Sequence, residues 1–219
     1  MRVIDLSHAI CEGMPCFPGD EPPVFASAFT DEHDGFNEKL VTMLTHTGTH
    51  MDAPAHVFSG RATLDAFSPS QFIGRALVVD VRDHADGQPI ILDNLASYGE
   101  LASEADFLLF NTGWDKRWGT DAYFGNYPCL DDTVMDFVLA GDYKGIGFDV
   151  MGLDPIADEE LSRHKKLFRE KDIVNIENLC RLDECARAAC GGLFSFSCFP
   201  LPLQDADGSP VRAVAWFED

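Results

Sequence analysis

Three histidines and one aspartate fall within an eleven-residue segment, from position 46 to position 56. Imidazoles and carboxylates are the side chains that most often bind divalent metals or transfer protons. All four stand at even-numbered positions, so an extended backbone would place them on one face, where packing alone would leave polar atoms unpaired. The segment therefore predicts a bound metal ion. The four candidate residues are His46, His50, Asp52 and His56.

The first two histidines and the aspartate of this segment form a ligand set suited to a catalytic ion. Two neutral imidazoles and one carboxylate fit Zn, Mn or Fe and leave coordination positions open. Gly48 allows the backbone to bend so that the two histidines converge, because glycine tolerates conformations closed to other residues. Pro54 keeps the residue before it extended, so His56 is expected to lie beyond the metal and not to bind it.

The net charge of the chain excludes some classes of partner. Among 219 residues, 37 are acidic and 16 are basic, which gives a formal net charge of -21. Such a field repels the phosphates of nucleic acids and of anionic lipids, so binding to nucleic acid or to a membrane is not expected. The length and the 46% hydrophobic content predict one globular domain over residues 1–219.

The cysteines and the N-terminal residues indicate the compartment. The seven cysteines include no CxxC pair, which argues against a zinc ribbon or a thioredoxin-type motif, and buried thiols in a reducing cytosol are expected. The first residues show no basic stretch followed by an apolar one, and no later apolar run reaches the length of a membrane span. A cytoplasmic protein is therefore expected.

Strands and helices alternate along the chain after the histidine segment. Buried apolar runs predict strands at residues 76–81, 107–110, 145–150 and 173–176. Capping residues and helical spacing predict helices over residues 94–103, 132–139 and 158–168. Further strands are predicted at residues 3–6, at 36–44, and in a C-terminal antiparallel hairpin over 193–217. This order predicts an α/β fold with a partly parallel sheet.

Two later positions place polar groups beside buried structure. On the third predicted helix, His164 shares a face with Leu161 and Phe168, so its imidazole points toward the core or a cleft. Glu177 directly follows the last buried strand before the hairpin. A core histidine with satisfied hydrogen bonds and a helix-capping glutamate are the alternatives for these two residues.

A proline-rich loop near the N-terminus presents an aromatic side chain. Prolines at positions 15, 18, 22 and 23 exclude a helix, and Phe17 lies between turn-forming residues. Phe17 is therefore a candidate wall of a substrate pocket. The alternative is a ring that packs the loop onto the core.

The central segment resembles the signature of a known family. The run His46-x-Gly48-Thr49-His50-x-Asp52-Ala53-Pro54-x-His56 matches the pattern HxGTHxDxPxH of the metal-dependent "putative cyclase" superfamily at every fixed position. This superfamily includes bacterial kynurenine formamidases, isatin hydrolase and related amide hydrolases. The resemblance extends over essentially the whole chain, through Asp5-Leu6-Ser7, Pro18-Gly19-Asp20, Asp149 and the ending at residues 207–213.

This resemblance implies a site and a reaction. In the family the first two histidines and the aspartate of the signature bind metal, and its last histidine, here His56, is the proton shuttle. Formamidase-like members complete a binuclear site with a later histidine and a glutamate, for which His164 and Glu177 are the candidates. The implied cofactor is one or two divalent ions, Zn or Mn. The implied activity is hydrolysis of an aryl formamide such as N-formylkynurenine, or of a cyclic amide, by water that the metal activates.

The resemblance also implies the architecture and the partners. The family fold is a single compact α/β domain with a mixed β-sheet or barrel-like core surrounded by helices, usually assembled as homodimers or homotetramers. The expected partner is a small-molecule amide substrate. Kynurenine formamidases generally carry a tryptophan where this chain has Phe17, so the aromatic wall is kept while its size and hydrogen-bonding group differ.

Two other functions fit parts of the pattern. His50 and Asp52 with His164 could form the facial triad of a non-haem iron oxygenase, but such sites usually lie in all-β barrels and the predicted helices oppose that fold. A non-catalytic metal- or ligand-binding homologue would keep the fold without the reaction, although an unligated base at His56 has no use there. Turnover that depends on Fe(II) and O₂ would identify the first. A metal-loaded protein inert toward formamides, cyclic amides and lactones would identify the second.

Overall fold

The computed structural model describes residues 1–218, which form ten strands and six α-helices. The strands are β1 (Arg2–Asp5), β2 (Val24–Phe29), β3 (Glu38–Thr42), β4 (His50–Asp52), β5 (Ile73–Asp80), β6 (Phe107–Asn111), β7 (Gly145–Phe148), β8 (Val174–Glu177), β9 (Phe194–Pro200) and β10 (Gly208–Phe217). The helices are α1 (Asp31–Asp34), α2 (Asp93–Ala96), α3 (Glu100–Glu104), α4 (Asp132–Ala140), α5 (Ser162–Glu170) and α6 (Leu182–Ala188).

Seven strands close into a barrel. They pair in the order β10, β4, β8, β7, β6, β5 and β9, and β9 pairs again with β10. The four strands from β5 to β8 run parallel, whereas the other pairings are antiparallel. β1 pairs with β10 outside the ring. The predicted single compact α/β domain with a mixed, barrel-like core is confirmed.

The central parallel strand β6 is apolar on both faces because both faces are covered. On β6, Leu108 and Phe110 pack in one hydrophobic cluster with residues of α4 and α5. The alternate residues Phe107 and Leu109 pack in a second cluster with residues of α6. Side chains alternate between faces along a strand, so a continuous apolar run indicates a strand buried on two sides.

Two of the predicted helices differ from the observed ones. Gly99, with a φ of 53°, separates α2 from α3 where one helix over residues 94–103 was predicted. The helix predicted from position 158 begins only at Ser162, because Leu161 adopts a left-handed φ of 52°. Asp158 still accepts a hydrogen bond from the Ser162 backbone N–H at 3.3 Å, so it stabilises the turn before the helix. The strand predicted at residues 145–150 ends at Phe148.

The chain reaches the histidine segment through a hairpin outside the barrel. β2 and β3 pair with each other in a separate two-stranded sheet, and every residue of β3 is exposed. The strand predicted at residues 36–44 is therefore present as β3, in a shorter form. Among residues 1–218 no helix combines the length and the apolar character needed to cross a membrane.

All seven cysteines are free thiols. The expectation of burial holds for Cys129, Cys180, Cys185 and Cys198. It is wrong for the others, since Cys11 and Cys190 are exposed and Cys16 is partly exposed; these three lie in loops or at a helix end, where the core does not cover them.

Candidate metal centre

Bends in the backbone bring the residues of the histidine segment together. Gly48 has a φ of 67°, a conformation that favours glycine, and it turns the chain into β4. Ala53 is extended, and Pro54 then begins a short 3-10 helix that ends at His56. The predicted roles of the glycine and the proline agree with this path. The segment is not one extended strand, however, because His46 lies in a turn before β4.

The neighbours of β4 deliver further polar side chains. In the antiparallel pairing of β4 with β8, His50 lies opposite Glu177 and Asp52 lies opposite Asn175. On the other side of β4, Gly208 of β10 lies opposite Asp52. Cross-strand neighbours on one face are close enough for their side chains to touch. Strand register therefore brings Glu177 to the histidines, although more than a hundred residues separate them along the chain.

The carboxylate of Asp52 lies between two sets of candidate ligands. Its Oδ1 atom is 2.7 Å from Nδ1 of His46 and 3.3 Å from Nε2 of His50. Its Oδ2 atom is 3.2 Å from Nε2 of His164. The side chain is 1% exposed, so these contacts rather than water surround it.

Glu177 completes the second set. Its Oε1 atom is 3.2 Å from Nε2 of His164, and its Oε2 atom is 3.5 Å from Nε2 of His50. One possible ligand atom from each of His46, His50 and Asp52 lies within 4.8 Å of the others, and the same holds for Asp52, His164 and Glu177. Asp52 belongs to both sets, so the two candidate metal positions share a carboxylate.

Hydrogen bonds fix the orientation of two imidazoles. Nδ1 of His50 donates to the Gly48 carbonyl oxygen at 2.9 Å. Nδ1 of His164 donates to Oδ2 of Asp154 at 2.6 Å, and the backbone N–H of His164 donates to the same oxygen at 3.1 Å. Each ring then directs Nε2 toward the carboxylates. Metal-binding histidines usually hold their second ring nitrogen in this way.

His56 lies beside the two sets that contain Asp52 and belongs to neither. Its ring is 4.1 Å from the ring of His46 and 5.7 Å from that of His164, measured between centroids. Its Nδ1 atom is 3.7 Å from Oδ2 of Asp207. His46, His56 and Asp207 form a third cluster whose possible ligand atoms lie within 4.8 Å of one another.

A cavity of about 400 Å³ gives access to these residues. Every site residue predicted from the sequence lines it: His46, His50, Asp52, His56, His164, Glu177 and Phe17. Phe17 is 42% exposed, so its ring borders the cavity and does not pack the loop into the core. Leu44, Met151 and Leu161 extend the apolar part of the lining.

The carboxylates change the pKa values of two histidines. Burial disfavours the charged form of His46, but hydrogen bonds to Asp207 and Asp52 outweigh burial and raise its pKa to about 10. The pKa of His164 is also raised well above its usual value, because contacts with three carboxylates outweigh its burial. Protons on these two imidazoles balance the buried acidic groups. A divalent cation can fill the same role.

The side chains present fit a divalent cation. Asp52 and Glu177 are both buried, and both accept a hydrogen bond from the same Asn175 nitrogen at 2.8 Å. Two carboxylates so close together require positive charge near them. With a metal ion in place of the extra protons, the three neighbouring histidines would supply neutral nitrogen donors, and a mixed set of imidazoles and carboxylates suits Zn, Mn or Fe.

Sequence reasoning missed three residues of this site. Asp154 orients His164, Asn175 joins two carboxylates, and Asp207 lies 3.1 Å from Nε2 of His46. Asp207 stands in the C-terminal run that contributes to the family resemblance, and that signal could have identified it. No local pattern marks the other two, because strand pairing and the loop before α5 place them.

Comparisons with known proteins identify the family of this chain. The family model described as "Putative cyclase" matches residues 4–155. A kynurenine formamidase from Bacillus cereus is 32% identical to this chain over 219 residues, covering 96% of this chain and 95% of the relative.

Solved structures share the fold. Isatin hydrolase A from Labrenzia aggregata, bound to benzyl benzoate, matches with a TM-score of 0.85 and 21% identity, over 98% of this chain and 93% of that one. A potential metal-dependent hydrolase with cyclase activity matches with a TM-score of 0.79 and 25% identity, over 98% of this chain and 96% of that one. The family model covers more than half of the sequence and a relative aligns over nearly all of it, so this chain belongs to the "Putative cyclase" family.

Proposed function

We propose that this protein is a metal-dependent amide hydrolase that acts on an aryl formamide such as N-formylkynurenine, or on a cyclic amide such as isatin. The observation that carries the proposal is the position of His56, beside two linked sets of metal ligands and at the surface of one cavity. The 32% identical kynurenine formamidase supports the formamide. Isatin is the example of a cyclic amide, because an isatin hydrolase has the same fold.

The proposed cofactor is Zn or Mn, bound as one or two ions. His46, His50 and Asp52 would hold one ion, and the shared Asp52 with His164 and Glu177 would hold a second. A bound divalent cation lowers the pKa of water and polarises a carbonyl group, which supplies both a nucleophile and an electrophile near neutral pH.

His56 is the proposed proton shuttle. Burial lowers the pKa of His56, although the nearby Asp52 carboxylate opposes this effect, so the ring is neutral at neutral pH and able to accept a proton. In hydrolysis the oxygen of water bonds to the amide carbon while His56 takes the proton. His56 then gives that proton to the nitrogen as the carbon–nitrogen bond breaks, which yields a carboxylic acid and an amine.

The apolar wall of the cavity accommodates the aromatic part of such a substrate. Phe17, Leu44 and Met151 line the cavity, and no lysine or arginine among residues 1–218 belongs to its lining. A volume of about 400 Å³ lies within the range of small-molecule sites, roughly 300–1,000 Å³. Aromatic rings offset against an aromatic wall gain packing energy beyond the area they bury.

Metal analysis combined with activity measurements tests this function. Protein stripped with a chelator is loaded separately with Zn and Mn and assayed on N-formylkynurenine and on isatin. Hydrolysis of either substrate that returns only with metal is the expected result. A metal-loaded protein that cleaves neither of these, nor other formamides and lactones, would indicate a non-catalytic homologue. Turnover that requires Fe(II) and O₂ would indicate an oxygenase.

We further propose that the protein acts in the cytoplasm as a homodimer or homotetramer. The family resemblance supports the assembly, and the net charge of -21 supports a small-molecule partner over nucleic acid or an anionic membrane. Light scattering from the purified protein reports the number of subunits.

A further inference from the structure

Asp207 contacts both a proposed metal ligand and the proposed proton shuttle. Its Oδ2 atom is 3.1 Å from Nε2 of His46 and 3.7 Å from Nδ1 of His56. Building on the proposed hydrolase function, we propose that Asp207 is a positioning residue that holds His46 and His56 through this one oxygen. No other carboxylate among residues 1–218 lies within ion-pair distance of His56.

The surrounding structure fixes the Asp207 carboxylate. Its other oxygen, Oδ1, accepts a hydrogen bond from the Thr45 hydroxyl at 3.1 Å. The backbone carbonyl of Asp207 accepts from the Ala53 N–H at 2.8 Å, at the end of β4. The next residue is Gly208, where a Cβ atom would overlap the His46 ring. Glycine therefore allows the ring and the carboxylate to meet.

This contact determines which nitrogen His46 offers to a metal. A carboxylate only accepts, so both nitrogens of His46 carry a hydrogen here: Nε2 donates to Asp207 at 3.1 Å and Nδ1 donates to Asp52 at 2.7 Å. The Nδ1 proton faces the first ligand set, so a metal ion bound there would replace that proton, while Nε2 would still donate to Asp207. Carboxylates that hold the second nitrogen of a ligating histidine commonly fix its tautomer in this way.

The same oxygen faces Nδ1 of His56. A hydrogen bond from Nδ1–H to Asp207 would leave the lone pair on Nε2, which is the nitrogen that would accept a proton from the reaction. The separation of 3.7 Å exceeds a hydrogen bond, and contacts of this kind often shorten when the substrate binds. The centroids of the two rings lie 4.1 Å apart, with the ring planes tilted by 38°, so one carboxylate can serve both.

Asp207→Asn tests the inference because it keeps the shape of the side chain and removes its charge. Asp205→Asn is the matched control, since Asp205 is exposed, outside the cavity lining, and bonded to the Gln204 side chain. For Asp207→Asn we expect a loss of metal affinity of about 10-fold to 100-fold, measured by competition with a chelator. At saturating metal we expect a fall in kcat of about 10-fold with a nearly unchanged KM. The control should change neither, and Asp207→Glu should restore part of both.

A double substitution separates positioning from a general structural effect. In a His56→Ala background at saturating metal, Asp207→Asn should change kcat by less than about 2-fold, because the residue through which it acts is absent. If Asp207→Asn lowers kcat equally with and without His56, then Asp207 does not act by positioning His56. If the metal affinity is unchanged in both Asp207 variants, then Asp207 does not position His46 for metal binding. If the unaltered protein cleaves no amide, the proposed function fails, while the metal titration still decides the contact with His46.

Discussion

Asp52 and Glu177 approach each other across neighbouring strands and share a hydrogen-bond donor, the side-chain nitrogen of Asn175, at 2.8 Å from each. Nε2 of His164 also lies 3.2 Å from an oxygen of each carboxylate. Two buried carboxylates in such contact repel each other unless positive charge lies beside them. Both carboxylates also approach Nε2 of His50, but of the two only Asp52 reaches His46 and belongs to both ligand sets, so the two acids have unequal parts in metal binding.

Asp52→Asn is expected to remove all tightly bound metal, whereas Glu177→Gln should remove only the second ion. The reason is that Oδ1 and Oδ2 of Asp52 face different ligand sets, while Glu177 belongs to one. Elemental analysis after dialysis should find about two ions per unaltered chain, about one in Glu177→Gln and none in Asp52→Asn. A tightly held ion in Asp52→Asn would contradict the sharing of this carboxylate.

Replacing His56 with Ala should reduce kcat by roughly 10²-fold to 10⁴-fold, the usual contribution of a general acid–base group. Metal content should not change, because His56 belongs to neither ligand set that contains Asp52. Steady-state hydrolysis of N-formylkynurenine and metal analysis on the same sample provide the measurement. His33→Ala, on the exposed helix α1, is the control. Full activity in His56→Ala with metal bound would show that another group moves the proton.

Gly208→Ala should weaken metal binding by displacing the His46 ring, which a Cβ atom at this position would overlap. We expect a loss of affinity of about 10-fold, in line with other changes that reorient a ligating histidine. Competition with a chelator measures the affinity, and thermal unfolding of the metal-free protein shows whether the fold survives. Gly192→Ala is the control, since its Cβ would meet only the Ala189 carbonyl oxygen, at 3.2 Å. Equal affinities in both variants would mean that the ring adjusts without cost.

Acid should destabilise the fold through His8. Its ring stacks on Trp118 at 3.9 Å, and its buried Nε2 has no hydrogen-bond partner among residues 1–218. Burial lowers the pKa of His8 from 6.5 to about 4, although the charge of Asp115 opposes the shift. The unfolded chain therefore binds this proton more readily, and stability present above pH 6.5 is lost as the pH falls toward 4.

The expected loss is about 1–2 kcal/mol in the free energy of unfolding, reduced from the full shift because the ring is partly exposed. Denaturant unfolding at two pH values, near neutrality and near the lowered pKa, measures it. His8→Phe keeps a ring for the stack and cannot titrate, so it should lose less stability between the two conditions. The same pH dependence in His8→Phe and in the unaltered protein would exclude His8 as the cause.

The sequence predicts the parts of the site that local chemistry determines. Gly48 and Pro54 bend the backbone through their own conformational preferences, and the helical spacing of His164 and Phe168 directs the imidazole toward the interior, although Leu161 lies before the helix. The buried apolar runs of the parallel strands likewise require no knowledge of their partners to be identified as strands.

The remaining features depend on contacts between distant parts of the chain. β4 is three residues long, too short for its alternation of polar and apolar residues to identify a strand, so only its pairing with β8 and β10 defines it as a strand of the barrel. Asn175 and Asp207 enter the site through that pairing. Leu161 adopts a left-handed backbone conformation that leucine disfavours, and it lines the cavity, so its conformation reflects its surroundings and not its own preference.

The carboxylate shared by the two ligand sets joins remote parts of the polypeptide, since Asp52 and His164 lie 112 positions apart. A cation held by both would act as a cross-link that the unfolded chain cannot reproduce. Ligand present at a hundred times its dissociation constant adds about 2.7 kcal/mol to the free energy of unfolding. The unfolding temperature of the barrel would then rise with the concentration of the cation. Without the metal, the amount of folded protein would fall as well as its activity.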